Sequence, residues 1–246
     1  MRPIGFSTGA LALGDFRKAL EMLSGFETKA IELSALRDNE VDALMNALPT
    51  LELGDFDYVS VHVPSAFRSL TEAEVITRLS PCINLKVPLV LHPDAIQDAS
   101  LWRQFGPLLC IENMDKRKRT GRTAEELEGF FASLPDATLC FDLGHTRQID
   151  STMGEARRIL QKFGDRLRQI HFSEIDTQGH HHGATLATIL ASRKIVSLIG
   201  EDVPVIIESQ ISSEEIGREL SAVRKALAPS KSSVPEPTAV DWDALA

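Results

Sequence analysis

Short apolar runs alternate with amphipathic stretches along the whole chain. Eight runs stand out, at residues 3–6, 29–33, 58–62, 88–92, 108–112, 138–142, 169–172 and 203–208. Most of them are continuously apolar, without a polar residue at every second position. Strands buried on both faces have this composition, and a parallel sheet covered by helices contains such strands. The stretches between them carry helix-start signals. Thr71/Glu74, Thr123/Glu126, Thr152/Glu155 and Ser212/Glu215 all have the spacing at which side chains can satisfy the free N–H groups of a first turn.

Strand, loop and capped helix, repeated eight times, predict an α/β protein with a (β/α)8 TIM-barrel fold. The alternative is a doubly wound open sheet. The count of eight argues against it, as does the lack of a glycine-rich turn after the first run. Residues 1–228 are expected to form this single barrel domain. Residues 229–246 carry Pro229, Pro235 and Pro237 among serines, with no helical period. They are expected to be a flexible C-terminal tail in which Trp242 is the one large aromatic.

Polar residues fall at the ends of the runs. Runs three to eight end at or beside His62, His92, Glu112, Asp142 followed by His145, His171, and Glu208. The other three histidines, His180, His181 and His182, form a block in the loop after run seven. A barrel gathers the C-terminal ends of its strands at one rim, where active sites of this fold lie. Three carboxylates brought together without counter-charge would repel one another. A divalent cation removes that cost and accepts imidazole as a co-ligand, so the pattern points to a metal centre. The bland alternative is a set of hydrogen-bonded structural residues. It suits any one of these positions better than all of them together.

Composition narrows the partners. The chain has 246 residues, 43% of them hydrophobic and 25% charged, which excludes a mainly disordered or coiled-coil protein. The net charge of -9 is the wrong sign for a broad nucleic-acid footprint, so DNA and RNA are not expected partners. No apolar run near the N-terminus looks like a signal peptide, and none is long enough to span a membrane. With Cys82, Cys110 and Cys140 read as unpaired buried thiols, a cytoplasmic location is expected. The sequence allows a homo-oligomer. One local exception to the acidic balance is 114–122, MDKRKRTGR, which includes Lys116 and Arg117 beside the expected barrel mouth. It is read either as a solvated loop or as a holder for a phosphate or carboxylate.

From Ile4 to about Leu227 these residues resemble the xylose-isomerase-like TIM-barrel superfamily. It contains sugar-phosphate isomerases and epimerases, related dehydratases, and the endonuclease IV branch of zinc phosphodiesterases. The resemblance implies one divalent ion, zinc or manganese, on Glu112, Asp142, His171 and Glu208. The endonuclease IV branch adds further ligands, and His62, His92 and His145 match them. His181 is the best candidate for the last, where the expected aspartate two residues before a histidine is missing. One to three ions are therefore implied. The sequence also departs from the epimerases. No arginine follows His171 before Arg193.

Three functions remain on this reading. The first is isomerisation or epimerisation of a small polyhydroxylated or phosphorylated substrate. There Glu112 and Glu208 would move a proton while the metal stabilised an enediolate, and Lys116 and Arg117 would hold the anionic end. The second is multi-zinc phosphoester hydrolysis, motivated by the surplus of histidines. The third is a non-catalytic, metal-binding scaffold.

Overall fold

The structure, a computed structural model, describes residues 2–228. The tail expected at 229–246 lies outside the described residues. The strands are β1 (Ile4–Ser7), β2 (Ala30–Ser34), β3 (Tyr58–His62), β4 (Leu89–Leu91), β5 (Leu109–Glu112), β6 (Thr138–Asp142) and β7 (Leu167–Phe172), followed by β8 (Glu174–Ile175), β9 (His181–His182) and β10 (Val205–Ile207). β1 to β7 and β10 close into one parallel barrel, with β10 pairing both β7 and β1. This is the (β/α)8 architecture. Each expected run became a barrel strand. β4 and β10 are shorter than expected, which leaves His92 and Glu208 just past their strand ends.

Side chains alternate between the two faces of each strand. One parity packs outward on the helices: Phe6, Ile31, Leu33, Val61, Leu91, Ile111, Phe141, Ile170, Phe172 and Ile207 all join one continuous apolar core. The other parity fills the barrel interior. Val90, Cys110 and Cys140 form a small separate cluster there. Above them the inward positions turn polar. Gly5 is needed where β1 meets β2, because a Cβ would lie 1.5 Å from the Ala30 carbonyl oxygen.

One of the four expected helix starts forms a complete reciprocal cap, Thr71 with Glu74. At Ser212 the Glu215 carboxylate accepts from the Ser212 N–H and hydroxyl, while the Glu215 N–H bonds the Ser212 carbonyl. Thr123 accepts from the Glu126 N–H, while the Glu126 carboxylate binds Arg122 instead of reaching back. The Thr152/Glu155 expectation fails. That helix, Gly154–Phe163, begins one residue later, with Met153 at its N-cap position. The Glu155 carboxylate crosses to the Ala124 N–H, and Asp150 takes the Glu155 N–H. Two further corrections concern histidines. His145, expected just past a strand end, is in the first turn of helix Leu143–Ile149. His181 and His182 form β9, paired antiparallel with β8. No helix among the described residues is long and apolar enough to cross a membrane.

Candidate metal centre

Glu112 is the last residue of β5, 1% exposed, and stands at the centre of the mouth. Its two oxygens face different partners. Oε2 lies 3.2 Å from His62 Nε2 and 3.2 Å from His92 Nε2. Oε1 lies 3.5 Å from His171 Nδ1 and 3.1 Å from His145 Nδ1. His62 comes from the end of β3, and its Nδ1 is 2.8 Å from the Val63 carbonyl oxygen. A carbonyl only accepts, so Nδ1 carries the proton and Nε2 turns its lone pair to Glu112. That contact needs a positive charge, from either a proton or a metal ion.

The second group lies on the other side of Glu112. His171 Nδ1 is 3.4 Å from Glu208 Oε2. Asp142 is fixed twice at the β6 end. Its Oδ1 caps helix Leu143–Ile149 by accepting from the His145 N–H at 2.6 Å. Its backbone N–H donates to Asn113 Oδ1 at 2.8 Å, while Asn113 Nδ2 donates to the Asp142 carbonyl. Asp142 Oδ2 and His171 Nδ1 remain buried without a hydrogen-bond partner among the described residues. Such orphans are costly unless something absent from the chain itself satisfies them.

Three sets of side chains offer ligand atoms within 4.8 Å of one another: Glu112, Asp142, His171 and Glu208; His62, His92 and Glu112; and Glu32, His62, His171 and Glu208. The first two share Glu112. Mixed imidazole and carboxylate donors suit zinc or manganese. Asp142 Oδ2 and His171 Nδ1 belong to the first set, and Glu32 Oε1 and His92 Nδ1, likewise buried without partners among the described residues, to residues of the other two. The residues fit a divalent ion at the first set, and His62 and His92 with Glu112 are a second group of ligand types beside it.

Titration follows from the crowding. Burial opposes charge on His62, but the Glu112 hydrogen bond and the surrounding carboxylates outweigh it and raise its pKa to about 9. His145 is raised to about 10, with Asp142 and Glu112 overcoming burial. Burial pushes Glu208 up to about 8, reinforced by Glu112 and Asp142 against the opposing pull of His171. Glu112 moves the other way, because the imidazoles of His171 and His92 more than offset its burial. Without an ion, protons on imidazoles supply the missing positive charge.

Among the described residues, His145 and His181 enter none of these three sets. His145 Nδ1 is 2.9 Å from the Asn113 carbonyl, and its Nε2 lies 3.8 Å from Asp115 Oδ2. The two rings are 5.8 Å apart between centroids. His181 Nδ1 sits 2.8 Å from Ser173 Oγ and 3.6 Å from Glu208 Oε2. His180 and His182 both turn outward to Asp176. The basic loop is largely self-paired. Arg117 binds Asp115 through Nε and Nη2 and the Gln178 carbonyl through Nη1. Lys118 binds Asp94 at 2.8 Å. Arg117 and Lys118 line the mouth cavity of about 290 Å³, as do Leu13, Leu36 and Val63 on its apolar side. Lys116 is exposed and outside that lining.

Two buried acids escaped the sequence reading. Asp115 was counted within a basic loop, and Glu32 sits in the middle of β2 instead of at its end. Glu32 is fully buried. A lone carboxylate inside the apolar run Ala-Ile-Glu-Leu was the available signal, since charges are not buried unpaired.

Comparison of the sequence with protein-family models and with curated proteins finds no match. Solved structures do match in fold. The endonuclease IV of Thermus thermophilus superposes with a TM-score of 0.62 at 18% identity, over 92% of this chain and 98% of that one. A xylose isomerase domain protein from Alicyclobacillus acidocaldarius gives 0.63 at 13% identity, over 93% and 98%. A xylose isomerase-like TIM-barrel protein from Mycobacterium smegmatis, in complex with magnesium, gives 0.56 at 14% identity, over 93% and 98%. The chain therefore has the fold shared by xylose-isomerase-like barrels and endonuclease IV.

Proposed function

We propose that the protein is a two-metal hydrolase of small phosphoesters. The observation that carries this is the split of Glu112, with one oxygen facing His62 and His92 and the other facing His171. A carboxylate between two ligand sets is how one side chain serves two ions. Single-ion chemistry would leave the His62/His92 pair unexplained. Divalent ions held there would neutralise charge on a phosphoryl group and lower the pKa of water.

The chain's own residues supply the rest. Glu208 lines the cavity and, through the oxygen it does not turn to His171, would take a proton from an attacking water. Asn113 keeps Asp142 in place, so the ligand set does not depend on loop motion. Arg117 and Lys118, which line the cavity, would meet the anionic end of the substrate. The cavity of about 290 Å³ suits a small molecule, and the acidic chain disfavours a polyanion. One of the similar folds, from Thermus thermophilus, is an endonuclease IV, which supports the reaction class by analogy only.

A second reading has its own observation. Glu112 Oε1 and Glu208 Oε2 both face His171 Nδ1, so two glutamates flank one ligand set. That arrangement suits proton removal and return in a sugar or sugar-phosphate isomerase or epimerase. Metal analysis of protein purified without chelator separates the readings. Two zinc or manganese ions per chain and release of phosphate or alcohol from a phosphoester panel support hydrolysis. One ion per chain, with solvent deuterium entering a ketose substrate, overturns it in favour of isomerisation.

A further inference from the structure

Beneath the mouth, the barrel interior carries a chain of polar side chains that the reaction does not itself need. It begins at Glu32 on β2. Glu32 Oε2 accepts from Ser60 Oγ at 3.0 Å and from Gln169 Nε2 at 2.8 Å, and lies 3.2 Å from His171 Nε2. Tyr58 Oη donates to Gln169 Oε1 at 2.6 Å. The register explains the meeting. Glu32 is paired with Ser60 across β2 and β3, and Gln169 lies one inward step below His171 on β7. Glu32 reaches them across the barrel.

The orientation of the Gln169 amide follows from chemistry. A carboxylate only accepts, so the amide nitrogen faces Glu32 and the amide oxygen faces Tyr58. The same nitrogen lies 2.9 Å from His171 Nε2. When an ion occupies the Glu112/Asp142/His171/Glu208 set, His171 meets it through Nδ1, the atom that faces Glu112 and Glu208. The ring's one proton is then on Nε2. Of the two groups found at Nε2, the Gln169 amide nitrogen is a donor, so it cannot accept that proton and its 2.9 Å contact must lengthen when Nε2 is protonated. Glu32 Oε2 can.

We infer that Glu32 is a positioning residue for the metal centre: its carboxylate accepts the His171 Nε2–H, fixes the ring's tautomer, and so presents the Nδ1 lone pair to the ion. Ser60, Gln169 and Tyr58 hold that carboxylate in turn. A hydrogen-bonded carboxylate behind a ligating imidazole orients the ring and raises its basicity. The inference rests on the metal-centre reading and holds for either reaction proposed above.

The test uses the full chain, zinc ions alone as the ligand, and two readouts that do not involve turnover. In wild-type protein with ¹⁵N-labelled histidine, zinc loading should leave His171 protonated at Nε2 and coordinated through Nδ1, as read by long-range ¹H–¹⁵N correlation. In competition against a chelating dye, Glu32→Gln should hold zinc about 10–100-fold more weakly. Glutamine keeps the shape, and thermal melts of the metal-free forms check that it folds. If the variant does not fold, the wild-type spectrum still decides. Coordination of zinc through His171 Nε2, or by Glu32 in place of the ring, overturns the inference. So does a folded variant that binds zinc as tightly as wild type. Wild-type protein that takes up no zinc at His171 removes the metal centre itself, an outcome distinct from the other two.

Discussion

The two ends of this barrel differ in a way that volume alone would misjudge. The N-terminal end has the larger cavity, about 860 Å³, bordered by Arg2, Lys29, Asp57 and Arg224. The mouth at the other end encloses about 290 Å³. At the N-terminal end the cations find backbone oxygens, Lys29 that of Asp55, Arg224 that of Glu27 and Arg2, through Nη2, that of Gly200, while Arg2 Nη1 is buried without a partner among the described residues. At the mouth, buried carboxylates and imidazoles face one another, and Asp142 Oδ2 and His171 Nδ1 have no partner among the described residues. Unsatisfied carboxylates and imidazoles that converge within reach of one ion locate chemistry better than empty space, or a single unpartnered donor, does.

The sharpest way to break this comparison is at the residue both ligand sets share. Glu112→Gln should release both ions and remove nearly all turnover. A loss of several kcal/mol of charge stabilisation corresponds to about a thousandfold or more in rate. Elemental analysis and phosphoester kinetics check this together. A variant that keeps two ions would show that Glu112 does not bridge.

Single-set variants should separate the two halves of the centre. Asp142→Asn alters only the Glu112/Asp142/His171/Glu208 set, and His92→Ala only the His62/His92/Glu112 set. Each is expected to leave one ion per chain. Asp142→Asn should also weaken the start of helix Leu143–Ile149 only slightly, since the amide oxygen can still accept from the His145 N–H. If both variants retain or lose the same ion, the mouth holds one site.

The pH response of the metal-free chain tests whether protons replace the ion. His62 and His145, raised to about 9 and about 10, stabilise the fold fully below the unfolded imidazole pKa near 6.5. That contribution is lost as pH rises through 9 and 10. Glu208, raised to about 8, acts in the same direction between its unfolded value of about 4.5 and 8. Chelator-treated protein should therefore melt at a lower temperature at pH 9 than at pH 6.5. Zinc affinity should run the opposite way, rising with pH as these protons are displaced. A flat melting profile in chelator would mean that the mouth carries no trapped protons.

The sequence read the outer parity of the barrel well. Phe6, Ile31, Val61, Ile111, Phe141 and Ile170 form the layer under the helices, and their runs announced all eight strands. Five residues were legible for the same reason: Glu112, Asp142 and His62 close their strands, His171 lies one residue before the end of β7 and Glu208 one past β10, all rim positions in this fold, and all five join the shared sets. His92 joins them from one residue past β4. Inner-parity residues were less legible. Glu32 lies two residues below its strand end, and its partners Ser60 and Gln169, with Tyr58 behind Gln169, are far away in sequence. No spacing rule connects residues across a barrel. His145 and His181 were named as ligands, but their partners depend on how helix Leu143–Ile149 and the β8–β9 turn are set. That setting involves Arg117 lying across Gly179, where φ is +84° and a Cβ would come within 1.9 Å of the guanidinium carbon. Arg117 was read as a substrate holder from its charge alone, and the charge says nothing of this packing.

The smallest expected effect belongs to the N-terminal end, and it is the control for the comparison. Arg224 is exposed on helix Ile216–Ala226, and its one described partner is the Glu27 carbonyl at 3.0 Å. Lys29 is likewise exposed, donating to the Asp55 carbonyl at 3.1 Å. Removing either side chain leaves a carbonyl that water can reach, so no buried group is orphaned. Arg224→Ala and Lys29→Ala should each change unfolding free energy by no more than about 0.5 kcal/mol, with zinc stoichiometry and affinity unchanged. Denaturant melts and chelator competition measure both. The contrast with Glu112→Gln then tests the principle directly, because all three variants remove one charge from the lining of a cavity. A loss of zinc from Arg224→Ala would mean that the two ends are coupled through the barrel interior, and that the polar chain from Tyr58 to Glu32 transmits more than position.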